Sequence, residues 1–163
     1  MHAPPSTPKL EGRVIVIIGG TSGIGLSGAR ALSDAGAQLV VTGRDQGKVD
    51  AAVAELGADN TAGLAGDAAR SESSDAAVAL AVSRFGKLDG LYHVAGGSGR
   101  AAGDGVLHEV TDTGIDHTID LNLKSLIHSN RAAVQQFLKQ GDGGTILNIG
   151  SVLGYSPSPE FFA

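Results

Sequence analysis

Five apolar residues, Val14-Ile15-Val16-Ile17-Ile18, run into the glycine-rich turn Gly19-Gly20-Thr21-Ser22-Gly23-Ile24-Gly25. A helix-compatible segment carrying Ile24, Ala31, Leu32 and Ala35 follows. This stretch, residues 13–35, constrains the fold more than any other. A short β-branched run between turn signals predicts a strand buried on both faces. A helix that opens on a glycine turn offers unpaired N–H groups and a partial positive charge, the two things a phosphate needs. Glycine lets the backbone approach a pyrophosphate with no Cβ in the way. The spacing is G-x-x-x-G-x-G, not G-x-G-x-x-G, and no Lys-Ser/Thr pair closes it as in a P-loop. The alternative reading is a tight turn whose small residues serve helix–strand packing.

Further strand–helix units follow. Residues 38–42 predict a second strand, with Gly36 as the stop of the preceding helix. Asp45 can cap a helix that places Val49, Val53 and Leu56 on one face. Residues 61–66 predict a third strand, closed by Asp67-Ala68. Residues 71–85 predict a helix with Ala77, Leu80, Ala81 and Phe85 on its buried side. Residues 88–95 predict a fourth strand ending at Gly96-Gly97, and 98–105 a glycine-rich mobile loop. Residues 111–140 predict one long helix, with Ile115, Ile119, Leu123, Leu126, Asn130, Val134, Phe137 and Leu138 on its period and a capping box at Thr113 and Asp116. Gly141-Asp142-Gly143-Gly144 breaks it. Residues 145–150 predict a fifth strand, followed by Ser151, and 152–163 carry no regular pattern. Strands alternating with helices imply right-handed crossovers and a parallel sheet with helices on both faces. The fold class is therefore α/β: a three-layer, doubly wound parallel sheet with five strands present. Ligands of such sheets sit at the carboxyl ends of the strands, where strand order reverses. That singles out residues 19–25, Arg44, Asp67, 95–97 and Ser151.

Composition narrows the function classes. With 163 residues the chain suits one domain, expected over 9–163 after a disordered tail at 1–8. The net charge of −5 offers no basic footprint for nucleic acid. Absence of cysteine excludes disulfides, thiolate metal sites and a cysteine nucleophile. No apolar run approaches the roughly 18 residues of a membrane helix, so the expectation is a cytoplasmic protein with no membrane partner. His2, His93, His108, His117 and His128 show no i, i+4 pair and no carboxylate cluster, so no metal site is expected. No G-x-S-x-G hydrolase elbow is present.

The strand-end residues resemble those of the short-chain dehydrogenase/reductases, over residues 9–158. The family's turn T-G-x-x-x-G-[IL]-G stands here as Ile18-Gly19-Gly20-Thr21-Ser22-Gly23-Ile24-Gly25. Its N-N-A-G motif stands as His93-Val94-Ala95-Gly96, its helix asparagine as Asn122 and its serine after strand five as Ser151. The resemblance implies a Rossmann-type nucleotide-binding domain and hydride transfer between a nicotinamide and a carbonyl or alcohol. It implies cofactor contacts from Gly19, Thr21, Ser22, Gly23, Ile24, Gly25, Arg44, Asp67, Ala68, Ala95, Gly96 and Gly97. It implies catalytic roles for Ser151, on the substrate carbonyl, and Asn122, on a relay water. The long helix would form a homo-oligomer face.

Each residue has a plainer alternative. Arg44 follows Gly43, where NAD-selective relatives present an acid. A guanidinium there can grip a 2′-phosphate, which favours NADP(H) over NAD(H); otherwise it is a solvated arginine paired with Asp45. Asp67 contacts the adenine or caps the helix at Ser71. Asn122 is a poor mid-helix residue and otherwise makes a polar contact between helices. Ser151 is otherwise a turn serine. Ile18 and His93-Val94 depart from the family pattern and are expected to remove side-chain bonds between strands. The family's Y-x-x-x-K pair falls roughly a dozen residues after the serine. Tyr155 lies only four beyond Ser151 and is followed at the lysine position by Pro159. Tyr155 is therefore not expected to be the catalytic tyrosine, and the C-terminal strands of the family's sheet are expected to be missing from this chain.

Overall fold

The computed structural model describes residues 10–156. The expectations for the tail at 1–8 and for Pro159 lie outside those residues. Five strands form one parallel sheet: β1 (Val14–Ile18), β2 (Gln38–Gly43), β3 (Thr61–Ala65), β4 (Gly90–His93) and β5 (Thr145–Asn148), in the order β3-β2-β1-β4-β5. The helices are α1 (Gly23–Asp34), α2 (Gln46–Leu56), α3 (Ser71–Phe85), α4 (Asp112–Ile119) and α5 (Ser125–Gln140). Strand order reverses between β1 and β4, where Ile18 pairs with Thr42 on one side and His93 on the other.

Alternation along β1 divides the core. Val14, Val16 and Ile18, with Val40 and Leu91, pack on Ala77, Val78 and Ala81 of α3 and Ala132, Ala133 and Phe137 of α5. Ile17, Leu39 and Val41 face Ala29 of α1 and Ala52 of α2. Burying each such valine or isoleucine contributes about 1.5–3 kcal/mol, so the run that reads as a two-sided strand also contributes to both cores. Asp45 accepts from the Lys48 N–H at 2.8 Å and caps α2 as expected. Gly141 ends α5 in the left-handed region, at φ 85°.

Three expectations change. The long helix has a π turn at Asp120–Lys124, between α4 and α5. A π turn inserts one extra residue, about 100° of phase, so apolar positions on either side do not share a stripe. On α5 the face against the sheet instead carries Ser125, Ser129, Ala132, Ala133 and Phe137, while Gly114 and Thr118 of α4 are buried against the 98–105 loop, and Leu123, Ile127, Val134 and Leu138 are exposed. Second, Thr111, not Thr113, caps the helix: its hydroxyl accepts from Gly114 N–H at 3.0 Å. Third, β4 and β5 are shorter than expected. Val94 and Ala95 both donate to the Ile18 carbonyl at 2.9 Å, which closes the ladder after His93.

Residues 98–105 coil through a 3₁₀ turn at Arg100–Ala102, and Gly103 lies against the backbone of Gly114. At the amino end of the sheet, Asp89 accepts from Val14 N–H at 2.8 Å and pairs with Arg13 and Lys87. Burial pushes its carboxyl up, but those donors outweigh it and hold it below the ordinary carboxylate value. The two sides of the sheet differ. β2 and β1 are covered on both faces. On the α1 side, β4 and β5 border an open groove of about 920 Å³ lined by Ile15, Tyr92 and Leu147, and β5 is an edge strand. No helix among the described residues is long and apolar enough to cross a membrane.

Candidate nucleotide-binding site

The carboxyl ends of β1 to β4 converge on one cleft of about 360 Å³, within the roughly 300–1,000 Å³ of small-molecule pockets. It lies where strand order reverses. Gly19, Thr21, Ser22, Gly23 and Ile24 supply one wall, Arg44 a rim, Asp67 and Ala68 the end beyond β3, and Ala95 and Gly96 the floor beyond β4. These ten residues come from four strand ends, and all were singled out by the sequence.

The turn is built by backbone contact. A Cβ on Gly19 would stand 2.9 Å from Ala95 N, and one on Gly25 only 1.9 Å from the Gly19 carbonyl oxygen. Gly25 is buried behind the turn and lets α1 start against it; it does not line the cleft. Gly23 is different. Its φ is +51°, it lines the cleft, and nothing lies within 4 Å of where its Cβ would be, so a side chain there would meet no packed neighbour. Ser22 stands at the N-cap of α1 without a side-chain cap bond, and the first turn holds no acid. The opening N–H groups of α1 are left to a ligand, as an anion site requires.

Arg44 is exposed on the rim and has no ion-pair partner among the described residues. Asp45, its alternative partner, is occupied as the α2 cap. Gly43 cannot gain a side chain without displacing Thr21, whose hydroxyl would lie 2.3 Å from the new Cβ. The missing acid at position 43 is therefore coupled to a threonine in the turn. Asp67 accepts from Ala69 N–H at 3.0 Å, while α3 starts from Arg70 with no side-chain cap. Asp67 shapes its own loop and does not cap α3.

Asn122 lies on the π turn. Its Oδ1 accepts from Gly97 N–H at 2.9 Å, and its Nδ2 donates to Gly97 O at 2.9 Å and Thr118 O at 3.0 Å. The side chain clamps the loop after β4, and the polar contact is made to that loop, not to another helix. Gly97 is held by this clamp outside the cleft lining. Ser151 also lies outside it; its hydroxyl accepts from Leu153 N–H at 3.1 Å and caps a short 3₁₀ turn, Val152–Gly154. Tyr155 is 94% exposed. Sequence reasoning did not assign Leu121 to the site, although it lines the cleft; an apolar residue on a helical period carries no signal for that. Nor did it find the bonds of His93. That side chain, expected to lose inter-strand bonds, makes its own to Ala95, Ser125 and Ser129.

A short chain dehydrogenase model matches residues 13–163. The chain is 33% identical over 156 residues to human (Homo sapiens) dehydrogenase/reductase SDR family member 4, covering 93% of this chain and 54% of that protein. It is 33% identical over 152 residues to an A-factor type gamma-butyrolactone 1′-reductase of Streptomyces virginiae, covering 92% of this chain and 58% of the relative. The chain thus spans somewhat over half the length of these curated relatives. A crystal structure of a 3-ketoacyl-(acyl-carrier-protein) reductase from Brucella melitensis, complexed with NADH, superposes with a TM-score of 0.83 at 28% identity, over 94% of this chain and 62% of that one. With its parallel sheet, its glycine turn at the reversal point and this match, the chain belongs to the short-chain dehydrogenase family.

Proposed function

We propose that this chain binds NADP(H) in the cleft over the glycine turn, as the nucleotide-binding part of an oxidoreductase acting on a carbonyl or alcohol. The observation that carries the reading is the cleft at the point of strand reversal, lined by Gly23 and the open N-terminus of α1, where a Gly23 Cβ would meet nothing within 4 Å. The opening N–H groups of α1 would hold the pyrophosphate, Asp67 and Ala68 would border the adenine, and Ala95 and Gly96 would floor the nicotinamide side. A bound nicotinamide supplies or takes a hydride at C4. Arg44 would pair with a 2′-phosphate, since it stands unpaired on the rim beside a Gly43 that cannot present an acid. The Brucella reductase with NADH supports a nicotinamide nucleotide in this fold; Arg44 is what turns the choice toward the phosphorylated form.

Asn122 holds the floor loop, and its relay role would operate from that clamped position. Ser151, on the turn after β5, would orient a substrate carbonyl. The residues numbered 1–163 supply no Tyr-x-x-x-Lys pair, so we propose that this polypeptide alone binds nucleotide without turnover. The exposed stripe of Leu123, Ile127, Val134 and Leu138 would meet a second copy of the chain. The test is titration of NADPH fluorescence into the chain and into Gly23→Val. The parent should enhance and shift the emission with saturation, and the variant should not. Equal saturation of the two proteins would place the nucleotide elsewhere.

A further inference from the structure

We propose that His93 is the positioning residue of the nucleotide floor: its imidazole fixes the direction of the Ala95–Gly96 peptide and ties it to α5. This deepens the nucleotide reading above and rests on it.

His93 ends β4 and is 2% exposed, beneath the floor and outside the cleft lining. Its Nε2 lies 3.0 Å from the Ala95 carbonyl oxygen and 3.3 Å from the Ser125 hydroxyl; its Nδ1 lies 2.8 Å from the Ser129 hydroxyl. A carbonyl oxygen only accepts, so the nitrogen facing it carries the proton and Nε2–H donates to Ala95 O. In the neutral ring Nδ1 is then an acceptor, and the Ser129 O–H donates to it.

The consequence for the cleft follows from peptide geometry. The Ala95–Gly96 unit is planar and trans, so its N–H points opposite to its C=O. With the carbonyl held inward by His93, the Gly96 N–H is turned away from the core, on the side where Gly96 lines the cleft. That N–H has no hydrogen-bond partner among the described residues. The next residue, Gly97, is gripped at both N–H and C=O by Asn122. Two consecutive parts of the floor are thus held from one continuous helical segment, the first through His93 and α5.

The serines supply an independent sign. Ser125 and Ser129 are four residues apart, on one face of α5, both buried. Serine is a poor helix-interior residue, and buried hydroxyls demand partners. Ser125 donates to Leu121 O and so meets Nε2 as an acceptor, while Ser129, which also has Leu126 O at 3.0 Å, gives its single proton to Nδ1, so the two frame His93 from both ends. His93 pairs in the sheet with Ile18 of β1 and Asn148 of β5, and its ring bonds Ala95, Ser125 and Ser129; none of these is ionisable. Burial pushes the imidazole below its ordinary pKa, and the Ala95 carbonyl opposes this only in part. The ring is neutral at pH 7, and its contact with Ala95 needs only the Nε2 proton that both protonation states carry.

The experiment combines NADPH titration with ¹⁵N NMR of the chain, His93→Phe, His93→Gln and Ser129→Ala. His93→Phe keeps the ring volume and removes both bonds; NADPH affinity should fall tenfold or more, with the Gly96 amide signal displaced. Glutamine restores an amide donor at similar reach and should return affinity to within about threefold of the parent. Ser129→Ala should lower the thermal midpoint and weaken NADPH less than His93→Phe does, because the Nε2 bond remains. The parent ring should be protonated at Nε2 near pH 7. A ring protonated at Nδ1, or a folded His93→Phe with parent affinity and an unmoved Gly96 amide, overturns the proposal. If His93→Phe does not fold, the ring tautomer and the glutamine variant decide it. If the parent binds no NADPH, the nucleotide reading falls, while the tautomer and the Gly96 amide still decide whether His93 fixes the peptide.

Discussion

The cleft has two sides, and they are made of different material. On the β1–β2 side it is backbone: a glycine turn, the open end of α1 and one rim cation, on strands covered on both faces. Beyond β4 the floor of Ala95 and Gly96 is held by side chains that do not line the cleft: Asn122 clamps the loop that follows it, and His93 braces it from below. A backbone site tolerates no added atom but leaves few bonds to break. A side-chain site can be dismantled one hydrogen bond at a time.

The largest expected effect lies on the backbone side. Gly25→Val should destroy the turn as well as the binding, since its Cβ would lie 1.9 Å from the Gly19 oxygen. Gly23→Val meets only open space and carries the strain of a left-handed β-branched residue, about 1–2 kcal/mol. Circular dichroism on heating should show Gly25→Val largely unfolded near room temperature and Gly23→Val folded. Similar melting of the two would erase the distinction between a packing glycine and a ligand glycine.

On the side-chain side the expected effect is an absence. A proton must reach the carbonyl oxygen as the hydride arrives, and a positioned general acid contributes about 10² to 10⁴ in rate. Neither Ser151 nor Asn122 can serve as that acid, and Tyr155 is solvent-exposed with no lysine four residues on. Purified chain with NADPH and a panel of ketones should show no turnover. Turnover lost on Tyr155→Phe would contradict this.

The unequal cover of the two sides suggests a third contrast. The open groove beside β5 and the stripe on the π turn and α5 expose Leu147, Leu123 and Leu138, and such surfaces promote association. The parent should sediment as an oligomer. The pair Leu123→Glu and Leu138→Glu should shift it toward monomer without changing NADPH affinity, because neither residue lines the cleft.

How much of this was legible follows the same division. The turn was readable because glycines at fixed spacing after a β-branched run mean close backbone approach, and Arg44 was readable because it stands at a strand end. The stripe along 111–140 was misread because a π turn has no sequence sign of its own. It broke the phase, and the sheet-facing side of α5 proved to be mostly Ser and Ala, which allow close approach to β4. His93 was read as a lost bond. Its helix partners, Ser125 and Ser129, lie 32 and 36 residues away, so nothing local announces them.

The smallest expected effect is a pH dependence. Unfolded His93 titrates near 6.5 and the folded residue lower. Below about 6.5 the unfolded chain therefore binds more protons, and stability falls with pH until the folded value is passed. Asp89 acts at a different point: its stabilisation is present above 3.8 and is lost as pH falls through its depressed folded value. Thermal midpoints of the parent should drop as pH goes from 7 toward 5. His93→Gln should remove the part of that slope due to the imidazole, and an unchanged slope would mean that other groups carry it.

A backbone-built cleft whose rim carries Arg44, unpaired among the described residues, is proposed to select a phosphorylated nicotinamide nucleotide. Parallel titration of NADPH and NADH into the chain and into Arg44→Ala tests it most directly. A charge-assisted contact contributes about 1.5–3 kcal/mol, toward the lower end on an exposed rim, which is about tenfold in affinity. NADPH should bind the parent about tenfold more tightly than NADH, and Arg44→Ala should bring the two together by weakening NADPH alone. Equal affinities in the parent, or a preference that survives Arg44→Ala, would contradict the claim.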